Sequence, residues 1–203
     1  MQLDPESLAV RDRYLLMIAT ILPRPIAWVG TVSPDGIPNL APFSFFTGIC
    51  ANPMTVCFAP VNDRHGKKKD TLINIELTKQ FTVNIVNEAN AEKMNQTSAP
   101  YPYGVNEFEK CGVTAVDSLK VKPPRVKESP VSYECELDQI VRVGEGALAG
   151  NLVIGKVVMF HCEDALYNAG KIKHQDIHAI GRMEGSWYAR TNDAFELPRP
   201  EVA

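Results

Sequence analysis

The sequence has no basic patch ahead of an apolar run at its start, no cysteine pair at CxxC spacing, no internal repeat and no long hydrophobic run. Its opening, MQLDPES, is acidic and contains a proline, unlike a secretory leader. The apolar stretch that follows, Tyr14 to Leu22, is too short to span a bilayer and is stopped by Pro23. Cys50, Cys57, Cys111, Cys135 and Cys162 make an odd number for a disulfide framework and lie too far apart for a zinc site. Reduced, mostly buried thiols in a cytoplasmic protein, with no membrane partner and no metal, are the expectation. Lys and Arg number 21 against 24 Asp and Glu, a net charge of −3, so nucleic acid is not an expected partner either.

What remains is ordinary globular material. A chain of 203 residues, 45% hydrophobic and 22% charged, fits one domain over 1–203. At this size roughly 70% of the unfolded surface is buried on folding, so no disulfide or metal staple is required.

Arg24 between two prolines excludes helix and begins an extended segment. Ile26 to Val32 reads as a strand, Ser33-Pro34-Asp35-Gly36 as a turn, and Pro38 to Phe46 as the returning extended segment. Thr55 to Ala59 is a short strand between prolines. Asp70 to Lys79 has helical apolar spacing with Asp70 as N-cap. Phe81 to Val86 alternates as a strand, and a second, more polar helix is expected over Glu88 to Gln96. Pro100 to Gly112 and Val121 to Pro130 read as surface loops.

Val131, Tyr133, Cys135 and Leu137 alternate with Ser132, Glu134, Glu136 and Asp138, which predicts one buried and one wet face. Leu152 to Cys162 is apolar almost throughout and reads as a strand covered on both sides, antiparallel to the previous one. Many strands with few helices point to a mainly β fold, an antiparallel barrel with an outer face that meets a second subunit.

Motifs divide into weak and informative. Gly144 to Ala149 matches GxGxxA, but a strand follows where a dinucleotide fold needs a helix, so it reads as a hairpin loop. His174 and His178 are four residues apart without a third ligand. Cys50 with His161 would make a nucleophile and base if the fold brought them together, a thiol hydrolase that would be colourless. The stretch His65 to Thr71 (HGKKKDT) places Lys67, Lys68 and Lys69 before a helix start, where free N–H groups favour an anion, unless it is simply a solvated basic loop. Asn39 to Phe46 (NLAPFSFF) is too apolar for a free loop, and Pro42 denies it a central-strand position. An irregular edge of this kind offers backbone groups to a flat heteroaromatic ring, with Ser44 supplying a hydroxyl and Phe45 and Phe46 covering it.

Together with RPIAWVGT (Arg24 to Thr31), NPMTVCFAP (Asn52 to Pro60), FTVNIV (Phe81 to Val86), GNLVIGKVVMFH (Gly150 to His161) and IGRMEGSWYART (Ile180 to Thr191), these stretches resemble the flavin reductase-like FMN-binding split β-barrel family. The resemblance implies an antiparallel Greek-key split barrel, a homodimer, and noncovalent FMN near the subunit interface. It places the ring along Asn39, Leu40, Ala41, Pro42, Ser44, Phe45 and Phe46, with Thr31 on the adjoining strand. Lys69, Asp70 and Thr71 are implied to take the phosphate, and Cys50 and His161 to contact substrate. The implied activity is transfer of reducing equivalents from NADH or NADPH through FMN to a flavin, an acceptor protein or a monooxygenase. The alternative is an FMN-binding electron carrier or flavin store with no nicotinamide activity.

Overall fold

A computed structural model of the protein describes residues 1–201. Its main body is a seven-stranded antiparallel sheet built from β1 (Ala27–Val32), β2 (Pro38–Phe43), β3 (Phe46–Ala51), β4 (Met54–Phe58), β5 (Gln80–Ile85), β6 (Val131–Val143) and β7 (Gly150–Cys162). The strand order is β2-β1-β5-β6-β7-β4-β3. β2 and β3 therefore hold the two margins of the sheet, although only Ser44 and Phe45 separate them in the chain. One continuous run leaves the first margin and joins the other, which brings the sheet round into a barrel divided at that bend. The Ala59 N–H, donating to the Phe45 carbonyl at 2.8 Å, fixes the crossing point.

The turn at Ser33 to Gly36 forms as its residues dictate: the Gly36 N–H donates to the Ser33 carbonyl, and Gly36 takes φ +83°. β6 and β7 run antiparallel over thirteen residues each, with register shifts at Glu134/Cys135 and Leu137/Gln139 that coil the pair around the barrel. Gly144 to Ala149 is their hairpin loop. Gly155 is glycine because a Cβ there would come within 2.2 Å of the Phe81 ring.

Two apolar clusters flank β1, which explains why all its residues are buried. Ala27, Val29, Phe58, Phe81, Val83, Cys135 and Val153 fill the barrel, whose packing is completed by Leu72 and Ile75 of helix α2 (Asp70–Thr78). Ile26, Trp28 and Leu40 face outward against Met94 of α3 (Ala91–Gln96), Phe108 of α4 (Glu107–Lys110) and Ile180. At the N-terminus, α1 (Val10–Thr20) has no buried residue.

Several expectations change. The returning segment does not run as one element to Phe46 but breaks into β2 and β3. Lys69, not Asp70, occupies the α2 N-cap, without a side-chain bond. The segment from Glu88 opens as a single 3-10 turn before α3. The stretch after Pro100 carries α4 and has buried members. On β6, Ser132 and Glu134 are buried rather than wet, because residues 115–126 cover that face. Within one chain β7 buries Asn151, Val153 and Gly155, while its opposite face is only half-buried. Among the described residues no helix is long and apolar enough to cross a membrane.

Candidate functional site

The β1–β2 hairpin sets Asn39 opposite Thr31, and α2 packs its first turn against both. The Asn39 amide donates to the Thr31 hydroxyl at 3.2 Å and to the Thr71 hydroxyl at 3.0 Å. Asn74 donates to the same Thr31 oxygen at 3.1 Å, and the Tyr103 hydroxyl donates to Asn74 at 3.1 Å. Thr31, Asn39, Thr71 and Asn74 are all buried, so this chain of bonds locks the start of a helix onto a strand edge. Thr71 accepts from Asn39 and, among the described residues, gives its own proton to none.

A cavity of about 710 Å³ opens between these elements and residues 97–107, within the range of small-molecule sites. Lys67, Lys68, Lys69, Asp70 and Thr71 line one end. Lys68 is committed to Glu76 at 2.7 Å, a carboxylate it shares with Arg142. Lys67 and Lys69 have no carboxylate within ion-pair distance among the described residues. Burial pushes the Asp70 and Glu107 carboxyls above the usual range, opposed by the Lys69 charge at one and the Leu40 N–H at the other. Asp63 goes the other way, lowered by the backbone N–H groups of Lys67 and His65. With Lys67 and Lys69 uncommitted beside the free N–H groups of the α2 start, this end favours an anion.

The edge of β2 forms the next wall. The Leu40 N–H points away from β1 and donates to the Glu107 carboxylate at 2.9 Å. By antiparallel alternation Pro42 and Ser44 turn the same way, and Pro42 has no N–H to recruit another strand. Pro42, Phe43 and Ser98 also border a side cavity of about 260 Å³, lined by Tyr14, Ser44, Asn95, Arg182 and Tyr188. The two spaces make one cleft along β2.

Asn39, Ala41, Pro42, Lys69, Asp70 and Thr71 thus line the large cavity, and Ser44 the side cavity. Thr31 stands behind Asn39 as its anchor. The Leu40 side chain is in the core beside Trp28, so only its backbone reaches the edge. Phe45 and Phe46 do not line the cleft, because the bend redirects them. Phe45 packs edge-on against Tyr14 at 6.4 Å, and Phe46 lines a different cavity of about 490 Å³.

Cys50 lines that second cavity with Met54 and Tyr133, its thiol donating to the Pro53 carbonyl. His161 is elsewhere. Tyr133 and Phe160 share one face of the β6–β7 ribbon, with ring centroids 5.5 Å apart. His161 is on the opposite face, at 2.6 Å from the Glu134 carboxylate. The sheet separates thiol from imidazole, so within one chain they form no nucleophile–base pair. His178 ends a one-turn helix in the left-handed conformation and meets Asn192, not His174. Among the described residues no group of His, Cys, Asp and Glu is disposed to hold a metal.

Ser98, Tyr101, Tyr103 and Glu107 on one wall, and Arg182 with Tyr188 at the far end, were not anticipated as site residues. The one local signal was the pair of tyrosines flanking Pro102. Arg182 and Tyr188 come from β8 (Ile180–Arg182) and β9 (Tyr188–Arg190), which only the tertiary fold brings to β2.

An antiparallel barrel split at one margin, with a long cleft on that margin, is the split β-barrel of flavin reductases. The structure superimposes on nitrilotriacetate monooxygenase component B from Bacillus cereus with a TM-score of 0.92 and 34% identity, covering 97% of this chain and 98% of that one. It also matches the 2-nitrobenzoate 2-nitroreductase NbaA of Pseudomonas fluorescens, with a TM-score of 0.89 and 28% identity over 100% and 98% of the two chains. An uncharacterized protein of Halalkalibacterium halodurans is 35% identical over 100% of this chain and 98% of its own. The flavin reductase-like domain family matches residues 19–175, and the chain belongs to that family of flavin-binding oxidoreductases.

Proposed function

We propose that the chain, as one domain, binds FMN noncovalently in the cleft along β2 and uses it to pass reducing equivalents from NADH or NADPH to a free flavin or another acceptor. The observation that carries this reading is the joining of an anion-favouring helix start to a strand edge by buried bonds. The residues fit the cofactor. Lys69, the α2 N–H groups and the unspent Thr71 proton match a phosphate, and Asn39, by donating to Thr71, leaves that proton available. From Asn39 to Ser44 the strand advances about 17 Å, at roughly 3.4 Å per residue, comparable to a ribityl phosphate with its ring.

FMN, when bound, supplies the hydride chemistry. The protein supplies the rest. Lys69 and Thr71 hold the charged tail, Ala41 and Pro42 give the ring a flat wall, and Tyr101 and Tyr103 exclude water from the other side. Ser44 offers a hydroxyl at the ring end. No side-chain acid or base is needed for the transfer, which agrees with the separation of Cys50 from His161. Similarity to a monooxygenase component B supports delivery of reduced flavin to a monooxygenase as one use of the activity.

The test is direct. Purified protein titrated with FMN is expected to quench flavin fluorescence, and NADH or NADPH added anaerobically to bleach the bound flavin rapidly. Lys69→Ala with Thr71→Ala is expected to weaken FMN binding by about 2–4 kcal/mol, the loss of two phosphate contacts, without unfolding the chain. Unchanged affinity rejects the phosphate assignment. Lasting yellow colour with both nicotinamides rejects the reductase and leaves a flavin carrier.

A further inference from the structure

Arg182 lines the side cavity at the far end of the cleft, Arg24 stands behind it against Ser44, and neither has an acid. Arg24 is 3% exposed and spends its guanidinium on uncharged acceptors: the Ile18, Ile21 and Met183 carbonyls and the Ser44 hydroxyl, at 2.6–3.2 Å. Arg182, half-buried, donates to the Gly185 carbonyl, and its guanidinium carbon stands 4.6 Å from the centre of the Tyr188 ring. Among the described residues no carboxylate comes within ion-pair distance of either. Their backbones are joined as well, each N–H donating to the other's carbonyl. Burial holds Arg24 below the usual arginine range, with Tyr14 opposing it and the neighbouring Arg182 charge adding to it, yet arginine stays charged in proteins. Arg182, a cation without an acid at a partly desolvated cavity and with a second cation behind it, is costly unless the site's working state brings a negative charge to it.

The bound cofactor supplies one. A hydride carries two electrons and one proton from the reduced nicotinamide, which leaves oxidised. A flavin ring that accepted it would gain one negative charge. With the phosphate held at the α2 end of the cleft, the strand length between Asn39 and Ser44 would bring the ring to the arginine end. We infer that Arg182, with Arg24 behind it, is the charge that selectively stabilises the reduced ring. The inference rests on the FMN reading above and adds to it a residue that sets the cofactor's potential. Arg182 discriminates between the two redox states because the oxidised ring carries no charge for it to meet.

The experiment measures FMN affinity in both redox states, and the potential of bound FMN, for the wild type, Arg182→Met and Arg182→Lys. Wild-type protein is expected to bind reduced FMN more tightly than oxidised FMN. Arg182→Met, which keeps an aliphatic cover over Tyr188, is expected to hold oxidised FMN within about twofold of wild type. It should lose at least tenfold in affinity for reduced FMN, a fall of about 30 mV for a two-electron couple. Arg182→Lys is expected to retain most of the wild-type potential. A wild type that prefers oxidised FMN overturns the inference even if the methionine variant fails to fold. So does an Arg182→Met potential equal to wild type, and so does a loss confined to the KM for the nicotinamide, which would make the arginines a site for that substrate's phosphates. A wild type with no affinity for FMN defeats the underlying reading instead, before any potential is measured.

Discussion

Glu134 is fully buried, although it was expected on the water-facing side of its strand. Its carboxylate accepts the N–H groups of Leu119, Lys120 and Val121 at 2.6–3.2 Å, and His161 approaches at 2.6 Å. One side chain therefore pins a whole covering segment to the barrel. Burial alone would push its carboxyl up, but the Leu119 and Lys120 N–H groups and His161 outweigh it, and the carboxyl is held below the ordinary range. A carboxyl depressed in the folded state contributes stability that is present above the unfolded glutamate range, near about 4.3. That stability disappears as pH falls through the folded value. Glu134→Gln sets an amide NH₂ against donors and is expected to cost about 2–3 kcal/mol in urea unfolding at neutral pH. The variant's stability should also fall less steeply with acid than the wild type's. A variant matching the wild type on both counts would show that the covering segment is held by something else.

Among the elements, the bend between β2 and β3 depends on Arg24, whose guanidinium ties together the end of α1, the Ser44 hydroxyl at the bend and the turn leaving β8. A lysine cannot reproduce that fork. Arg24→Lys is expected to strand two or three part-buried acceptors and destabilise the fold by about 1–3 kcal/mol. In hydrogen exchange, α1 and the β8–β9 hairpin should lose protection before the barrel strands do, and uniform loss over the whole chain would contradict this clamp. The elements easiest to read in the sequence were those whose burial is periodic. β1 followed from its proline-bounded apolar run, α2 from Leu72 and Ile75, and β5 from Phe81 and Val83. β3 was missed because nothing in it is buried: its residues face outward at a margin and leave no alternation to detect. The site was half legible for a related reason. Lys69 to Thr71 act through a local helix start, whereas Arg182 and Tyr188 arrive from about 140 residues away through pairing that spacing does not encode.

For the whole molecule, the unburied apolar surface is too organised to be left in water. α1 exposes Val10, Leu15, Leu16 and Met17, its C-cap Ile21 is 52% exposed, and β3 and the outer face of β7 expose Ile49 and Phe160. An isolated eleven-residue helix is marginal in water, and no residue of α1 is fully buried within one chain. Its two observed ties are the Arg24 bonds at its end and the edge contact of Tyr14 with Phe45. A second copy of the chain covering α1 would supply the missing burial, and a standard interface of about 800 Å² per partner is enough. Sedimentation equilibrium is therefore expected to give twice the mass of one chain. Leu16→Glu with Ile21→Glu would bury two unpaired carboxylates at such an interface, at a cost of several kcal/mol, more than a hundredfold in dissociation constant. Tyr14 of the same helix lines the side cavity, so the loss of the pair should also weaken FMN binding, in proportion to the monomer formed rather than to the mutation itself. A wild type that sediments as a single chain, or a double variant that stays paired, would mean that α1 is covered in some other way.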